Sequence, residues 1–398
     1  MTAISAPPLS LYVHLPWCVR KCPYCDFNSH AVPSAGLPEG AYLAALLEDL
    51  EFAARRADGR EIVSVFFGGG TPSLFSARAI AALLARLREL LPVAGDVEVT
   101  LEANPGTVEH GAFSAYRAAG INRVSLGAQS FDDRRLVALG RIHAAAEIDA
   151  AVAELRAAGI DNFNLDLMYG LPGQAPEGAL RDVERAVALG PAHISHYNLT
   201  LEPDTAFERR PPQLPDEEAV FEMQASCQEL LAASGFSQYE VSAYARPARR
   251  CRHNLNYWEF GDYLGIGAGA HGKLSDVACG RVSRTERVRQ PGRYMAAARP
   301  EERIAGERAV VGGELAFEFC LNALRLVDGF DEQSFEARTG QAWTGVPGAV
   351  VARERGLLER TPAGRWAATS RGRLFLNDLQ AVFLPETPPR GAERAQGR

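Results

Sequence analysis

Short β-rich runs alternate with longer helical patterns from about residue 10 to residue 245. The predicted strands are Leu11–Leu15, Ile62–Phe67, Val97–Leu101, Arg123–Leu126, Phe163–Met168, His193–Leu199 and Gln238–Ala243. The predicted helices are Gly40–Arg56, Ala77–Leu91, Val108–Ala119, Ala144–Ala158, Pro176–Leu189 and Asp216–Ser234. This alternation requires a parallel sheet with right-handed crossovers. Six or more units predict an α/β fold with a partial (β/α)6-type barrel, and an open doubly wound sheet is the alternative.

The alternation ends near residue 245, which we take as the end of the barrel domain, 1–245. Residues 246–310 contain an arginine cluster, a glycine-rich stretch and a charged linker. A smaller α+β domain is predicted over 311–385, with helices and a hairpin around Thr361-Pro-Ala-Gly that resemble a winged helix. Residues 386–398 are rich in Pro, Gly, Ala and Arg, which predicts a disordered tail.

Charge argues against nucleic acid as a partner. Residues 314–386 hold eight Arg and ten acidic residues, a net charge of −2, although winged helices often bind DNA. The whole chain has 42 basic and 49 acidic residues, a net charge of −7. A basic surface field is therefore not expected.

The sequence favours a cytoplasmic protein. The first 19 residues contain no Lys or Arg, so no charged region of a signal peptide is predicted. No uncharged apolar run approaches the ~20 residues that span a bilayer, so any membrane association would be peripheral. Seven cysteines, an odd number, disfavour a secreted disulfide scaffold.

Three of these cysteines lie together directly after the first predicted strand. Cys18, Cys22 and Cys25 have the spacing C-x3-C-x2-C. Zinc would need a fourth ligand, for which His14 or His30 are candidates. A [4Fe–4S] cluster held by three thiolates keeps one iron open to a small chelating ligand, such as the amine and carboxylate of an amino acid. The other cysteines are scattered and are interpreted as structural: Cys227, Cys251, Cys279 and Cys320.

Polar motifs follow the other predicted strands. They are Gly68-Gly-Gly-Thr-Pro-Ser73, Glu102, Asn104, Gln129, Ser130, Arg141 and Asp166. The carboxyl ends of parallel strands meet at one face of the sheet, where β/α proteins bind ligands. These side chains and the cysteine loop are therefore predicted to form one site.

Together the motifs resemble the radical S-adenosylmethionine (SAM) superfamily. From about Ser10 to Pro385 the chain is similar to its coproporphyrinogen III oxidase-like branch. The resemblance implies a [4Fe–4S] cluster on Cys18, Cys22 and Cys25, with SAM on the open iron. The SAM contacts that it implies are Tyr12, Tyr24, Gly69, Gly70, Thr71, Glu102, Gln129, Arg141 and Asp166.

Two features separate the oxidases of this branch from its haem chaperones. The oxidase pattern extends to C-x3-C-x2-C-x-C, but Phe27 stands at the fourth position here. The segment His253-Asn-Leu-Asn-Tyr-Trp258 resembles a motif of the chaperones. The resemblance therefore favours a haem chaperone that binds haem and delivers it to an acceptor protein, with no catalytic residue assigned. Coproporphyrinogen oxidase and a zinc-binding structural protein are the alternatives.

The haem candidates are residues of that segment. His253 is a candidate iron ligand, and Tyr257 and Trp258 have rings that stack on a porphyrin. Cys251 and His271 are rival ligands. The glycine-rich stretch 265–272 is expected to contact adenine or to line the pocket.

The two lysines of the chain, Lys21 and Lys273, lie beside these motifs, whereas the other 40 basic residues are arginines. We expect both ammonium groups near the SAM carboxylate or a haem propionate. An exposed cysteine loop would also permit a homodimer.

Overall fold

The computed structural model describes residues 4–107 and 112–385 of the chain. Its strands are β1 (Leu9–Leu15), β2 (Trp17–Cys18), β3 (His30–Ala31), β4 (Ile62–Gly69), β5 (Val93–Ala103), β6 (Arg123–Gln129), β7 (Phe163–Tyr169), β8 (His193–Asn198), β9 (Ser237–Gln238), β10 (Ala243–Ala245), β11 (Asp262–Ile266), β12 (His271–Asp276), β13 (Arg281–Arg287), β14 (Ile304–Val310), β15 (Leu358–Arg360) and β16 (Trp366–Ala368).

Its helices are α1 (Glu39–Arg55), α2 (Ala77–Leu90), α3 (Ala112–Ala119), α4 (Asp133–Ala138), α5 (Ala145–Ala157), α6 (Pro176–Ala188), α7 (Ala206–Arg209), α8 (Glu217–Ala233), α9 (Arg252–Trp258), α10 (Pro291–Ala296), α11 (Gly313–Ala323), α12 (Glu332–Thr339), α13 (Pro347–Glu354), α14 (Ser370–Leu374) and α15 (Leu376–Ala381). No helix in the described ranges is long and apolar enough to cross a membrane.

A twelve-stranded sheet dominates the described part of the chain. Its order is β14-β13-β12-β11-β1-β4-β5-β6-β7-β8-β10-β9. The strands from β11 through β8 are mutually parallel, and those beyond them on either side are antiparallel. Six of the parallel strands, β1 and β4 to β8, follow one another in the chain. The prediction of a partial six-unit β/α barrel is therefore confirmed.

The helices pack their apolar stripes onto this sheet. In α2 the residues Ile80, Leu83, Leu84 and Leu87 are buried, at the three- and four-residue spacing of one helix face. Each such aliphatic side chain stabilises the fold by about 1.5–3 kcal/mol. Ser76 begins the helix by accepting a hydrogen bond from the Ala79 N–H at 3.2 Å. This local chemistry explains why the predicted helix bounds agree with the structure to within a residue or two. The residues 108–111 of one predicted helix, and the tail 386–398, lie outside the described residues.

One predicted strand is wrong. The segment Gln238–Ala243 forms two short strands, β9 and β10, which pair antiparallel across a tight turn. The Gln238 amide donates to the Val241 carbonyl at 3.0 Å, and Glu240 accepts from the Ser242 N–H at 3.1 Å. These local hydrogen bonds fold the chain back where a continuous strand was expected.

The segment 246–310 is more than a linker. It contributes α9, α10 and the strands β11 to β14, and β11 lies beside β1 in the main sheet. Strand β13, with the sequence Arg-Val-Ser-Arg-Thr-Glu-Arg, pairs with β12 and β14 and leaves Arg281 and Glu286 exposed. Because of its charged composition, this strand near the edge of the sheet was interpreted from the sequence as a linker.

The C-terminal domain has its own aromatic core. Phe319, Phe330, Phe335 and Trp343 pack edge to face, with ring centroids about 5 Å apart. The predicted hairpin is confirmed as β15 and β16, and two short helices, α14 and α15, follow it. An ion pair between Arg325 and Glu240, at 3.0 Å, joins this domain to the barrel.

Candidate functional site

A cavity of about 140 Å³ opens at the carboxyl ends of the parallel strands. We call it the first cavity. The predicted site residues that line it are Cys18, Cys22, Tyr24, Cys25, Gly69, Gly70, Thr71, Glu102, Gln129, Arg141 and Asp166. The structure therefore brings together every predicted cluster and SAM residue except Tyr12, although they come from six separate segments of the chain.

The three cysteines are free thiols on the loop that follows β1, and each is half-buried. Burial raises the pKa of the Cys18 thiol, and burial likewise raises that of Cys25. The Thr71 N–H donates to the Trp17 carbonyl at 2.8 Å, which ties the glycine loop to the cysteine loop. The thiols are thus presented by a loop that the sheet holds in place.

The glycine loop is required for packing as well as for access. Gly69 has a φ of +118°, and a Cβ there would lie 2.7 Å from the His14 ring. A Cβ on Gly70 would lie 2.5 Å from the Trp17 carbonyl oxygen. The Gly69 N–H donates to Glu102 at 3.2 Å, and the Gly70 N–H donates to the Leu15 carbonyl at 2.9 Å. These two amides therefore already have hydrogen-bond partners within the protein.

Two carboxyl groups lie in the cavity. Burial and, to a smaller extent, the neighbouring Asp166 raise the pKa of Glu102 to about 8. Burial also raises the pKa of Asp166, although its carboxylate accepts hydrogen bonds from Ser125 at 3.0 Å and Asn164 at 2.8 Å. Near neutral pH Glu102 is largely protonated. The pair therefore offers both a donor and acceptors to the hydroxyls of a ligand.

Arg141 supplies the positive charge. Its guanidinium donates to the Gly127 carbonyl at 2.9 Å and to the Asn104 side chain, and one terminal nitrogen lies 3.7 Å from the Cys22 sulfur. Its Nε is buried and has no hydrogen-bond partner among the described residues. A bound carboxylate would satisfy such a donor.

Sequence reasoning missed Tyr197, which lines the first cavity from the end of β8. Its hydroxyl donates to the Gln129 side chain at 2.9 Å, while Gln129 itself has a φ of +67°. The alternation of faces along a strand puts Tyr197 on the same side as Ser195. This two-residue periodicity of β8 was the signal from which the position of Tyr197 could have been predicted.

A second cavity, of about 380 Å³, adjoins the first. Phe27, Gly69 and Glu102 line both cavities. The remaining lining of the second cavity is Tyr12, His14, Asp26, Asn28, Tyr257, Tyr263, Gly269, His271 and Arg289. Tyr12, an implied SAM contact, therefore lies in this second cavity, where its hydroxyl is 2.9 Å from His14 Nδ1.

The three haem candidates of α9 have different surroundings. His253 is buried, with Nδ1 3.0 Å from the Ser64 hydroxyl and Nε2 3.1 Å from the Tyr257 hydroxyl, so both ring nitrogens have partners. Tyr257 lines the second cavity. Trp258 packs beneath the Arg325 guanidinium, 4.3 Å away, where the two domains meet.

The two rival ligands also differ. Cys251 is buried, with its sulfur 3.6 Å from Glu98. His271 is exposed at the second cavity. The glycine-rich stretch 265–272 packs closely against the cysteine loop, because a Cβ on Gly269 would lie 2.3 Å from the Asn28 amide. Gly269 lines the second cavity. Of the two expectations for this stretch, contact with adenine and lining of the pocket, the structure therefore fits the second.

The structure separates the two lysines, and the role expected of Lys21 stays a prediction. Lys21 donates to the Phe27 carbonyl at 3.0 Å, on the cysteine loop. Lys273 lies elsewhere: its Nζ is buried and donates to Asp262 at 2.8 Å and to the Phe260 carbonyl at 3.0 Å. Asp262 opens β11, at the end of the strand opposite the cavities. The prediction of a ligand-binding ammonium at Lys273 is therefore wrong, because its charge is neutralised inside the protein.

The donor set fits an iron–sulfur cluster. In a [4Fe–4S] cluster each thiolate binds a different iron, so the three sulfurs need to surround one space rather than converge on one point. Among residues 4–107 and 112–385, no three His, Cys, Asp or Glu side chains are placed to share a single metal ion. His14, a candidate fourth zinc ligand, has both ring nitrogens hydrogen-bonded, to the Tyr12 hydroxyl and the Asn28 carbonyl.

Comparison with known proteins identifies the family of the chain. The family model of the radical SAM superfamily matches residues 12–186, and that of the HemN C-terminal domain matches residues 313–375. The chain is 47% identical over 384 residues to the heme chaperone HemW of Escherichia coli, which covers 96% of this chain and 100% of that protein. It is 38% identical to the heme chaperone HemW of Mycobacterium tuberculosis, with 95% of each chain covered. The structure of the E. coli coproporphyrinogen III oxidase HemN shares the fold, with a TM-score of 0.79 at 23% identity over 95% of this chain and 90% of that one.

Proposed function

The chain belongs to the radical SAM superfamily and, within it, to the family of the heme chaperone HemW, and we propose that it binds haem and delivers it to an acceptor protein. The observation that carries the proposal is the near full-length identity to chaperones, combined with a first cavity in which three free thiols face the polar strand ends. Both domains of the relatives are present.

In this proposal Cys18, Cys22 and Cys25 hold a [4Fe–4S] cluster and the rest of the first cavity holds SAM. When bound, the cluster supplies an electron to SAM. Arg141 binds the SAM carboxylate through its guanidinium, whose buried Nε lacks a partner among the described residues. Glu102 accepts from the ribose hydroxyls or donates to them, according to its protonation.

Asp166 and Gln129 act mainly through position. Asp166 is oriented by Ser125 and Asn164, and the Gln129 side chain is held by the Tyr197 hydroxyl. Rigid support of this kind keeps a binding site within about 0.5 Å of its productive geometry. Thr71 similarly accepts from Asn104 at 2.9 Å and joins the glycine loop to β5.

Phe27 favours the chaperone over the oxidase. It occupies the position of the fourth thiol of the oxidase pattern, its ring is 60% exposed, and it lines both cavities. An apolar ring there replaces a thiol and adds a surface on which a porphyrin packs. Val19, on the same loop, is also exposed, which supports contact of this loop with an acceptor or with a second copy of the chain. We place the protein in the cytoplasm, with any membrane contact peripheral.

Anaerobic reconstitution of the full chain with iron and sulfide tests the proposal. We expect an iron–sulfur absorbance, SAM binding, a Soret band on haem titration, and haem transfer to an apo-haem protein. With coproporphyrinogen and SAM we expect no release of CO2. Release of CO2 would favour the oxidase, and one zinc without iron in anaerobically purified protein would favour the structural alternative.

A further inference from the structure

We infer that the second cavity is the haem site, with His271 as the iron ligand and Arg289 as the partner of a haem propionate. This inference rests on the proposed function, and it gives the cargo a place beside the SAM cavity rather than within it.

The second cavity has the volume of a small-molecule site and aromatic walls that suit a porphyrin. Its volume of about 380 Å³ falls within the roughly 300–1,000 Å³ of small-molecule sites. Tyr257 and Tyr263 pack edge to face with ring centroids 4.4 Å apart, and together with Phe27 they line it with aromatic surface. Aromatic rings stack well on a porphyrin face. The cavity is open to solvent, which suits a cargo that must be released.

His271 is the histidine at this cavity that is available to iron. Of the histidines in the described residues, His14 and His271 line the cavity. Both nitrogens of His14 are engaged, by the Tyr12 hydroxyl and the Asn28 carbonyl. The His271 side chain is 64% exposed, and its Nδ1 lies 3.9 Å from a Glu286 carboxylate oxygen.

That carboxylate is the kind of partner that ligating histidines use. A histidine that binds a metal through one nitrogen usually donates its other N–H to a carboxylate, carbonyl or water. The Glu286 carboxylate, 3.9 Å from Nδ1, lies where it would orient the ring in this way. Nε2 is then the nitrogen that binds iron.

Arg289 provides a positive charge that can pair with a haem propionate. It is exposed and lines the same cavity, and a guanidinium binds a carboxylate in bidentate geometry. The acidic residues of the lining are Asp26 and Glu102. Since the pKa of Glu102 is about 8, Asp26 is the main opposing charge near neutral pH. A propionate is therefore expected to pair with Arg289 on the side away from Asp26.

His253 then has a different part from the one that its motif suggests. It is buried beneath the cavity, stacked 4.9 Å from the Phe66 ring, and its Nε2 holds the Tyr257 hydroxyl at 3.1 Å. It is a positioning residue for Tyr257. Replacing it should misplace an aromatic wall without removing the iron ligand.

Titration with haem and with metal-free protoporphyrin separates these roles. For His271→Ala we expect haem affinity to fall at least tenfold, with loss of the histidine–iron signature in electron paramagnetic resonance or resonance Raman spectra. Binding of metal-free protoporphyrin by this variant should be unchanged. Arg289→Gln should weaken both porphyrins about fivefold and keep the iron signature. Arg281→Gln, which changes an exposed arginine outside the lining of this cavity, serves as the matched control.

Some outcomes would overturn the site assignment alone. One is wild-type haem affinity and an intact iron signature in His271→Ala. Another is a His253→Gln variant that melts at the normal temperature but loses the iron signature, while His271→Ala keeps the signature. If the wild-type chain itself fails to bind haem, the proposed function fails instead, so the two failures are distinguishable.

Discussion

The substitution Gly70→Ala offers the sharpest check on how the sheet positions the cysteine loop. Gly70 directly follows β4, and its N–H donates to the Leu15 carbonyl at 2.9 Å. A Cβ at this position would lie 2.5 Å from the carbonyl oxygen of Trp17 and 2.9 Å from the carbonyl carbon of Pro16. Ordinary contact of a Cβ begins near 3.4 Å, so the two segments must separate by about 0.9 Å.

The atoms that the added methyl group would meet are backbone atoms, which move only if the chain moves. Forcing an extra methyl group into packed surroundings costs about 1–3 kcal/mol. Trp17 is bonded to Cys18, so a shift of this size would move the first thiol beyond the roughly 0.5 Å tolerance of a preorganised site. We expect a lower melting temperature, less iron bound per chain, and SAM affinity reduced at least tenfold, which is about 1.4 kcal/mol.

The assay is anaerobic reconstitution followed by iron analysis and SAM titration. Gly95→Ala is the matched control, because Gly95 lies in β5 and a Cβ added there would have no heavy atom within 4 Å. If Gly70→Ala takes up iron and binds SAM as Gly95→Ala does, the glycine loop does not set the geometry of the cysteine loop, and the reasoning fails.

The same contacts support three other predictions. Cys18→Ser should abolish cluster absorbance after reconstitution, whereas Cys279→Ser, at an exposed cysteine, should leave it intact; equal absorbance would contradict the assignment. Burial raises the pKa of Glu102 from 4.5 to about 8, so the folded state holds this proton longer than the unfolded state does. Its contribution to stability is full below about pH 4.5 and is lost as the pH rises through 8; the melting temperature of the apo protein should fall over this window, and less steeply in Glu102→Gln. Lys273→Met should lower the free energy of unfolding by about 3 kcal/mol, because it removes a cation from the buried Asp262, while SAM and haem affinities stay unchanged. If Lys273→Met instead binds SAM or haem more weakly at a normal melting temperature, Lys273 contributes to ligand binding and the prediction is wrong.

Much of the barrel was predictable because its signals are local. The leucine spacing in α2 and the cap at Ser76 act within a few residues, so they can be read without knowledge of the fold. The spacing of Cys18, Cys22 and Cys25 is local as well. Since parallel strands present their carboxyl ends on one face, it was also possible to predict that Glu102 and Asp166 converge near these thiols.

The errors came where pairing is long-range. Strand β11 lies beside β1, roughly 250 residues away in the chain, and β13 is a charged outer strand that lacks a clear apolar alternation. Nothing within a short window of sequence distinguishes such segments from a linker. Tyr197 was missed for a related reason, because its role depends on Gln129 of β6, two strands away in the sheet.

The order of residue types was enough to establish which chemistry this chain carries: three thiols for a cluster, carboxyl groups and a guanidinium for its ligand, and a segment with histidine, tyrosine and tryptophan. Which of those side chains reaches a cavity depended on the three-dimensional fold. In α9 His253 and Tyr257, four residues apart, share the face that meets the interior and the second cavity, whereas Trp258, about 100° further round the helix, meets Arg325. The packing of that helix against the barrel and the C-terminal domain sets these directions, and packing depends on the whole chain.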